Sequence, residues 1–357
     1  MERKKILIFG GCGFIGSNIA TFLQTSKIKT CVDVFDNLSR KGSELNALRL
    51  KKLGIENVKG DIRSSEDLKN LKNYDYIIDA SAETSATVGL SGSPFYILEN
   101  NLLSTINCLE VARKMAAKFI FLSTSRVYPI KLLDGCRFKE EETRYVIQNS
   151  QFTKGISEKG VNEDFSLLGP RTMYGTSKLS SELIIQEYGE YFNLDYIINR
   201  FGAIAGPWQF GKQDQGFISH WLMSHIFGTE LSYFGYGGQG KQVRDILHVN
   251  DLVRLIVDQI ENFNLYKMDT YNAGGGLENT ISLKELTGLC QSISGNKIQI
   301  ESDKDREGDI RIFITDNSRV NSINGWSPKK DINDIIYDVY HWIKNNQNNL
   351  KSLYNYQ

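Results

Sequence analysis

The chain has 357 residues, 41% apolar and 24% charged, with 42 basic and 42 acidic side chains, a composition that suits a globular protein with one large or two modest cores. A formal net charge of zero offers no broad basic field, which argues against nucleic acid or an anionic membrane surface as a partner. Five cysteines (Cys12, Cys31, Cys108, Cys136, Cys290) lie far apart without a Cys-x-x-Cys pair, so reduced thiols in a cytoplasmic protein are expected, not a disulfide frame or zinc site.

Lys4-Lys5 before Ile6–Phe9 has the outline of a secretion signal, but the apolar run is too short and glycines interrupt it. No stretch approaches the ~20 apolar residues of a membrane span. From there the chain alternates. Ile6–Phe9, Thr30–Phe35, Tyr76–Ala80, Phe119–Ser123 and Tyr196–Phe201 are near-continuous apolar runs, suited to strands covered on both faces. Ile15–Gln24, Ser65–Leu71, Pro94–Ala116 and Thr176–Phe192 carry helical periodicity between them. This β-α-β order predicts an α/β fold, a Rossmann-type doubly wound parallel sheet.

After Gly206-Pro207 the texture changes to glycine, glutamine and aromatics, which predicts a smaller C-terminal α/β substrate lobe. The expected division is 1–205, with 246–272 returning to it, against 206–245 and 273–357. Val249–Ile260 and Ile332–Asn345 read as helices, and the polar tail Asn346–Gln357 as frayed. Tyr128 to Tyr174 spans 46 positions, long enough to be a lid or an unstructured surface excursion.

Gly10, Gly13 and Gly16 stand where a buried strand gives way to a helix opened by Phe14 and Ile15. Gly10 suits a tight turn, Gly13 a close approach of backbone to pyrophosphate, and Gly16 tight strand–helix packing, with helix N–H groups facing the phosphates. Asp36, 20 residues after Gly16 and followed by Asn37, is placed to accept the adenosine ribose hydroxyls, which favours NAD over NADP; Arg40 lies close by. Asp61-Ile62 falls beside the adenine, with a turn-forming aspartate as the alternative reading.

Tyr174 and Lys178 lie four apart in Tyr-Gly-Thr-Ser-Lys, which places phenol and ammonium on one helix face. A phenol near pKa ~10 becomes a better proton acceptor beside a fixed cation. The four histidines lack metal-ligand spacing, and no metal is expected. Trp208, Phe210 and Trp221 suit either a sugar pocket or core packing.

In their order and spacing, Gly10–Gly16, Asp36-Asn37-Leu38, Asp61-Ile62, Asn101 in Asn-Leu-Leu-Ser-Thr, Ser123–Tyr128, Tyr174–Lys178, Arg200 with Gly206-Pro207, Arg244–Val249, Asn272–Gly276 and Arg306-x-Gly308-Asp309 resemble the extended short-chain dehydrogenase/reductase family, in its nucleotide-sugar epimerase/dehydratase branch. The resemblance covers nearly the whole chain. Within that branch, Gly206–Gly216 and Gly240–His248 are most similar to the CDP-paratose 2-epimerase group. The resemblance implies that Tyr174 is the base on a sugar hydroxyl, that Lys178 holds the nicotinamide ribose and lowers the phenol's pKa, and that Thr124 bonds the same sugar oxygen. It implies that Ser81, Ala82, Glu83 and Asn101 line the NAD cofactor. Arg244 and Arg306 are expected on the substrate diphosphate, with Thr84, Ser125, Arg126, Gln209 and Gln215 as further substrate contacts.

Related dehydratases have Asp-Glu after the threonine, where this chain has Ser125-Arg126; with no carboxylate there to protonate a leaving hydroxyl, dehydration is disfavoured. A 4-epimerase stays open, although Ala203 stands where many such relatives have an Asn. An NAD-binding regulatory protein on the same fold is the non-enzymatic alternative. The expected protein is an NAD-dependent nucleotide-sugar epimerase of polysaccharide biosynthesis, cytoplasmic, and by resemblance a homodimer.

Overall fold

Buried apolar runs become the centre of the structure, a computed structural model that describes residues 3–85, 93–212, 215–303 and 308–355. By contacts the described chain divides into two compact units. The first comprises 1–127, 173–200 and 252–271, and the second 128–172, 201–251 and 272–357.

The first unit is built on a seven-stranded sheet, counted among the described residues. In spatial order its strands are Asp269–Ala273, Tyr196–Phe201, Lys118–Thr124, Tyr76–Asp79, Lys4–Phe9, Thr30–Asp36 and Asn57–Lys59. The pairings from Lys118–Thr124 to Asn57–Lys59 are all parallel. In chain order this is 3-2-1-4-5-6-7, so the connection reverses direction beside Lys4–Phe9. That reversal point, at the carboxyl ends of the strands, is where open α/β sheets bind ligands. Ile6, Leu7, Ile8 and Phe9 are all fully buried, as strands covered on both faces require. On one face Phe9, Phe35, Phe119 and Phe121 pack with Cys108, Leu109, Ile185 and Ile198.

The helices depart from the sequence reading in three places. Ser65–Leu71 forms turns, not a helix, while Ser43–Lys52 is a helix that a weak apolar pattern concealed. The expected helix over Pro94–Ala116 is interrupted: α-helix at Phe95–Leu98, one π-helical turn at Glu99–Leu103, then α-helix at Ser104–Met115.

The second unit has a short sheet in which Val243–His248 pairs with Ala203–Ala205, Thr280–Ser282 and Ile312–Phe313. Helices Phe217–Phe227, Leu283–Ser294 and Ile332–Asn345 supply the apolar cluster around Trp221, Leu222, Leu286, Val339 and Trp342. Ser282 with Glu285 and Asp331 with Asp334 form reciprocal capping boxes at two helix starts. The tail expected to fray is helical over Gln347–Tyr354, with Leu350 fully buried and the Tyr354 hydroxyl donating to Gly211 O at 2.8 Å.

Tyr128–Thr172 is neither unstructured nor separate. It forms a short helix, Ile130–Asp134, and two small hairpins, Phe138–Glu140 with Tyr145–Ile147 and Ile156–Ser157 with Gly160–Val161. Tyr145, Ile147, Val161 and Phe165 are buried. Arg144 ties the segment to Glu285 at 2.6 Å, and Val161 N donates to Ile314 O at 2.8 Å.

Candidate active site

The glycine loop fits a dinucleotide. Gly10 has φ +69°, and a Cβ there would meet Ser81 Cα at 2.8 Å. At Gly16 a Cβ would lie 2.4 Å from Gly10 O, so no larger residue allows the loop to close on its helix. Gly13 is the N-cap of Phe14–Thr25 and brings no side-chain cap, leaving first-turn N–H groups for an anion. Asp36 accepts from Cys12 N at 3.0 Å and Leu38 N at 2.8 Å, tying the loop to the end of the second strand. Burial pushes the Asp36 carboxyl up, against those two bonds. Asn37 donates to Asp61 at 3.2 Å, and Arg63 closes on Asp61 at 2.6 Å. Arg63's hydrogen bonds hold the Asp61 carboxyl down at about 2, so Asp61 organises its own turn as well as the Asn37 side chain. Asn107 fixes Ile62 through its carbonyl oxygen at 2.9 Å.

Beyond the fourth strand, Ser81 N donates to Asp79 Oδ1 at 3.0 Å. Ala82 and Thr84 are half-buried, and the Arg40 guanidinium reaches the Thr84 hydroxyl at 3.5 Å. Asn101, 1% exposed, accepts from Glu83 N at 2.8 Å and donates to Glu83 O at 2.9 Å and Ser177 Oγ at 3.1 Å. Both amide hydrogens of Asn101 are therefore engaged within the protein. Its side chain braces the Glu83 segment against the tyrosine helix, and the π-helical turn is what aims it there.

Tyr174 and Lys178 share the helix Met173–Phe192 and are 8% and 2% exposed. Burial raises the Tyr174 phenol; the neighbouring Thr124 hydroxyl and the Arg126 charge pull it down, Glu83 pushes it up, and Arg40 again lowers it. The sequence reading gave that lowering to Lys178, whereas Arg126 and Arg40 are the leading cations. Arg126 N also donates to Thr124 Oγ1 at 3.2 Å, and half-buried Ser125 and Arg126 form the turn after that strand. The Lys178 ammonium lies 4.1 Å over the Phe121 ring and has no hydrogen-bond acceptor among the described residues. A buried cation with unmet donors is costly unless a ligand meets them, and a ribose diol is such a ligand. The residues present fit NAD.

Three residues escaped the sequence reading. Asp79 is fully buried at the strand end, Ser177 completes the Asn101 brace, and Glu182 pairs with Arg200 at 2.7 Å. A charged Arg200 closing an apolar strand was the available signal for the last.

In the second unit, Arg244 Nη2 meets Asp309 Oδ1 at 2.8 Å while Nη1 donates to Val243 O at 2.8 Å, which joins two of the sequence motifs. Arg306 lies outside the described residues. The Gln209 amide is engaged by Ile204 O at 2.9 Å and Ser219 Oγ at 3.0 Å; Gln215 Oε1 is buried without a partner among the described residues. Trp208 and Phe210 pack on Trp342 at 5.8 and 5.6 Å, and Trp221 stacks on Tyr233 at 6.3 Å, so these aromatics belong to the core. His225 and His248 are fully buried, and no group of His, Cys, Asp and Glu among the described residues is suited to hold a metal.

A reversal-point glycine cradle, with a buried tyrosine–lysine pair on the following scaffold, defines a dinucleotide-dependent enzyme. Residues 6–274 match the NAD dependent epimerase/dehydratase family, and the chain belongs to it; NAD is its cofactor. The chain is 31% identical to the CDP-paratose 2-epimerase of Salmonella typhi over 95% of its length and 98% of that protein's. It is 28% identical to a putative UDP-glucose 4-epimerase of Methanocaldococcus jannaschii over 96% and 99% of the two chains. The solved UDP-glucuronic acid 4-epimerase of Bacillus cereus, in complex with UDP-glucuronic acid and NAD, shares the fold with a TM-score of 0.76 at 23% identity, covering 96% of this chain and 99% of that one. Among the described residues no helix is long and apolar enough to cross a membrane.

Proposed function

We propose that this chain inverts a hydroxyl-bearing carbon of a nucleotide-diphosphate sugar, as a CDP-paratose 2-epimerase does, in cytoplasmic polysaccharide biosynthesis. The observation that supports the reading is the set Thr124, Tyr174 and Lys178, with Ser125-Arg126 after the threonine, a base-and-cation set without an acid pair for water loss. NAD, when bound, would be held by the Gly10–Gly16 loop, Asp36 and Lys178 and would supply a hydride acceptor and donor for reversible oxidation of the sugar carbon. Tyr174 takes the hydroxyl proton as the carbinol is oxidised and gives it back on reduction. Thr124 orients that oxygen, and Lys178 holds ribose hydroxyls with an ammonium that has no hydrogen-bond acceptor among the described residues.

The cofactor is assigned to the first unit, 1–127 with 173–200 and 252–271 in place of the expected 1–205 with 246–272, and the nucleotide sugar to the second, which also takes in 128–172. Arg244, which pairs with Asp309 at 2.8 Å, is the proposed diphosphate contact, with Arg306 beside it in role. Thr84, Ser125, Arg126, Gln209 and Gln215 are the other proposed substrate contacts. Phe95, Leu103 and Leu183, at 62%, 45% and 55% exposure on helical segments of the first unit, support a homodimer, which sedimentation would measure.

The test is incubation with CDP-paratose and a panel of UDP-, GDP- and CDP-hexoses, followed by NMR in D₂O. Inversion at C2 without solvent deuterium at that carbon is expected. Inversion at C4 would move the reading to a 4-epimerase, and loss of water to a dehydratase. Deuterium at the inverted carbon would overturn hydride return.

A further inference from the structure

Asp79 is fully buried at the end of its strand, and the first unit provides it no arginine or lysine ion pair among the described residues. Its acceptors face neutral donors: Ser81 N at 3.0 Å, the Ser81 hydroxyl, and at 3.2 Å the Thr105 hydroxyl, whose one hydrogen is shared with Asn101 O at 2.7 Å. In the parallel register Asp79 stands opposite Phe9 on one side and Phe121 on the other, and residues opposed in this way point to one face of the sheet. The Lys178 ammonium sits 4.1 Å over that same Phe121 ring. One face thus carries a buried carboxylate without an ion pair and, from the helix Met173–Phe192 packed on it, a buried ammonium without a hydrogen-bond acceptor, the two joined through the Phe121 position next to Asp79.

We propose that Asp79 is the counter-charge of the Lys178 ammonium, a positioning residue that keeps the lysine protonated beneath the site. Burial lowers the Lys178 pKa, and Asp79 is the leading group that opposes this, ahead of Glu182 and Cys108. The two others are weaker candidates. Glu182 is already matched by Arg200, and burial pushes the Cys108 thiol well up, so it stays neutral. From the remaining strand packed there, Lys118–Thr124, the neighbour is the Phe121 ring, and Arg200 acts through Glu182.

The proposal rests on the role given to Lys178 above, and the test separates the two. Lysines labelled with ¹³C at Cε are followed against pH by NMR in the protein as purified with its NAD, the Lys178 signal being assigned by Lys178→Arg. In Asp79→Asn the Lys178 midpoint moves down, and the alkaline limb of turnover moves with it, with about a tenfold loss for each unit. Thr105→Val, which removes a hydrogen bond and leaves the charge, moves neither. An unmoved Lys178 midpoint in Asp79→Asn would overturn the proposal. Should that variant not fold, Lys178→Met reads the pair from the other side. It strands a buried carboxylate, so adding Asp79→Asn to it recovers stability in urea; a further loss in the double variant also overturns the proposal. If Lys178→Met keeps full turnover, the reading of the site itself fails instead.

Discussion

Glu182 and Arg200 meet as an ion pair of 2.7 Å, with side chains 1% and 5% exposed, and Ser123 donates its hydroxyl to the same carboxylate. The pair joins the tyrosine helix to the strand Tyr196–Phe201, one turn beyond Lys178. Breaking such a pair from one side leaves a charge stranded in a dry interior. Glu182→Gln should therefore lower the free energy of unfolding in urea by about 3–5 kcal/mol. A change within experimental error would show that solvent reaches the pair.

Gly16 faces the carbonyl of Gly10 so closely that an added Cβ would lie at 2.4 Å. Backbone blocks it on that side, and neither partner is a flexible side-chain tip, so Gly16→Ala must shift the loop. A stability loss of about 1–3 kcal/mol is expected. The displaced loop should also retain less NAD, which absorbance of the cofactor released on denaturation will measure. Stripping NAD from the parent lowers its thermal midpoint, because the ligand binds only the folded state. In Gly16→Ala that gap between loaded and stripped protein should shrink.

Much of this was legible in the sequence, for a physical reason. Strands such as Ile6–Phe9, buried on both faces, leave an unbroken apolar run, and Gly10 and Gly16 sit where sterics permit little else. The helix at Ser43–Lys52 was missed because its charged surface leaves only Ser43, Asn46 and Leu50 buried. The brace at Asn101 was invisible in its detail, since its partners Glu83 and Ser177 lie 18 and 76 residues away and a π-helical turn sets the angle. Arg126 and Arg40 as the leading cations at Tyr174 are likewise a product of tertiary approach, whereas spacing along one helix pointed to Lys178.

Glu285 joins three jobs: it completes the capping box with Ser282, and it accepts from Thr143 at 2.7 Å and from Arg144 at 2.6 Å. Burial alone would raise its pKa, but the Arg144, Ser282 and Thr143 bonds outweigh it and hold the carboxyl at about 2. The folded value lies below the unfolded one near 4.3, so the stabilisation is fully present above pH ~4.3 and is lost as pH falls toward 2. Discounted for the side chain's partial exposure, it amounts to about 1–2 kcal/mol. Arg144→Ala should lose most of this at pH 7 and little at pH 2.5, as urea unfolding at the two values will show. An equal loss at both would mean that Arg144 acts by packing and not by charge.

Arg126 offers the clearest separation between binding and proton transfer. It is the leading positive charge acting on the Tyr174 phenol, behind the larger and opposing effect of burial and the bond from Thr124. Tyr174 serves as base only when deprotonated, so turnover must rise with pH through the phenol's pKa. Removing the Arg126 charge raises that pKa and carries the acid limb of the profile to higher pH. Arg126→Gln should accordingly lose turnover at pH 7 and recover much of it in more alkaline buffer, with NAD content unchanged. Tyr174→Phe should retain NAD as well, yet stay inactive at every pH. A uniform loss across the pH range in Arg126→Gln would leave the guanidinium only the substrate contact proposed for it, with no part in tuning the phenol, and full activity in Tyr174→Phe would remove the phenol from the reaction altogether.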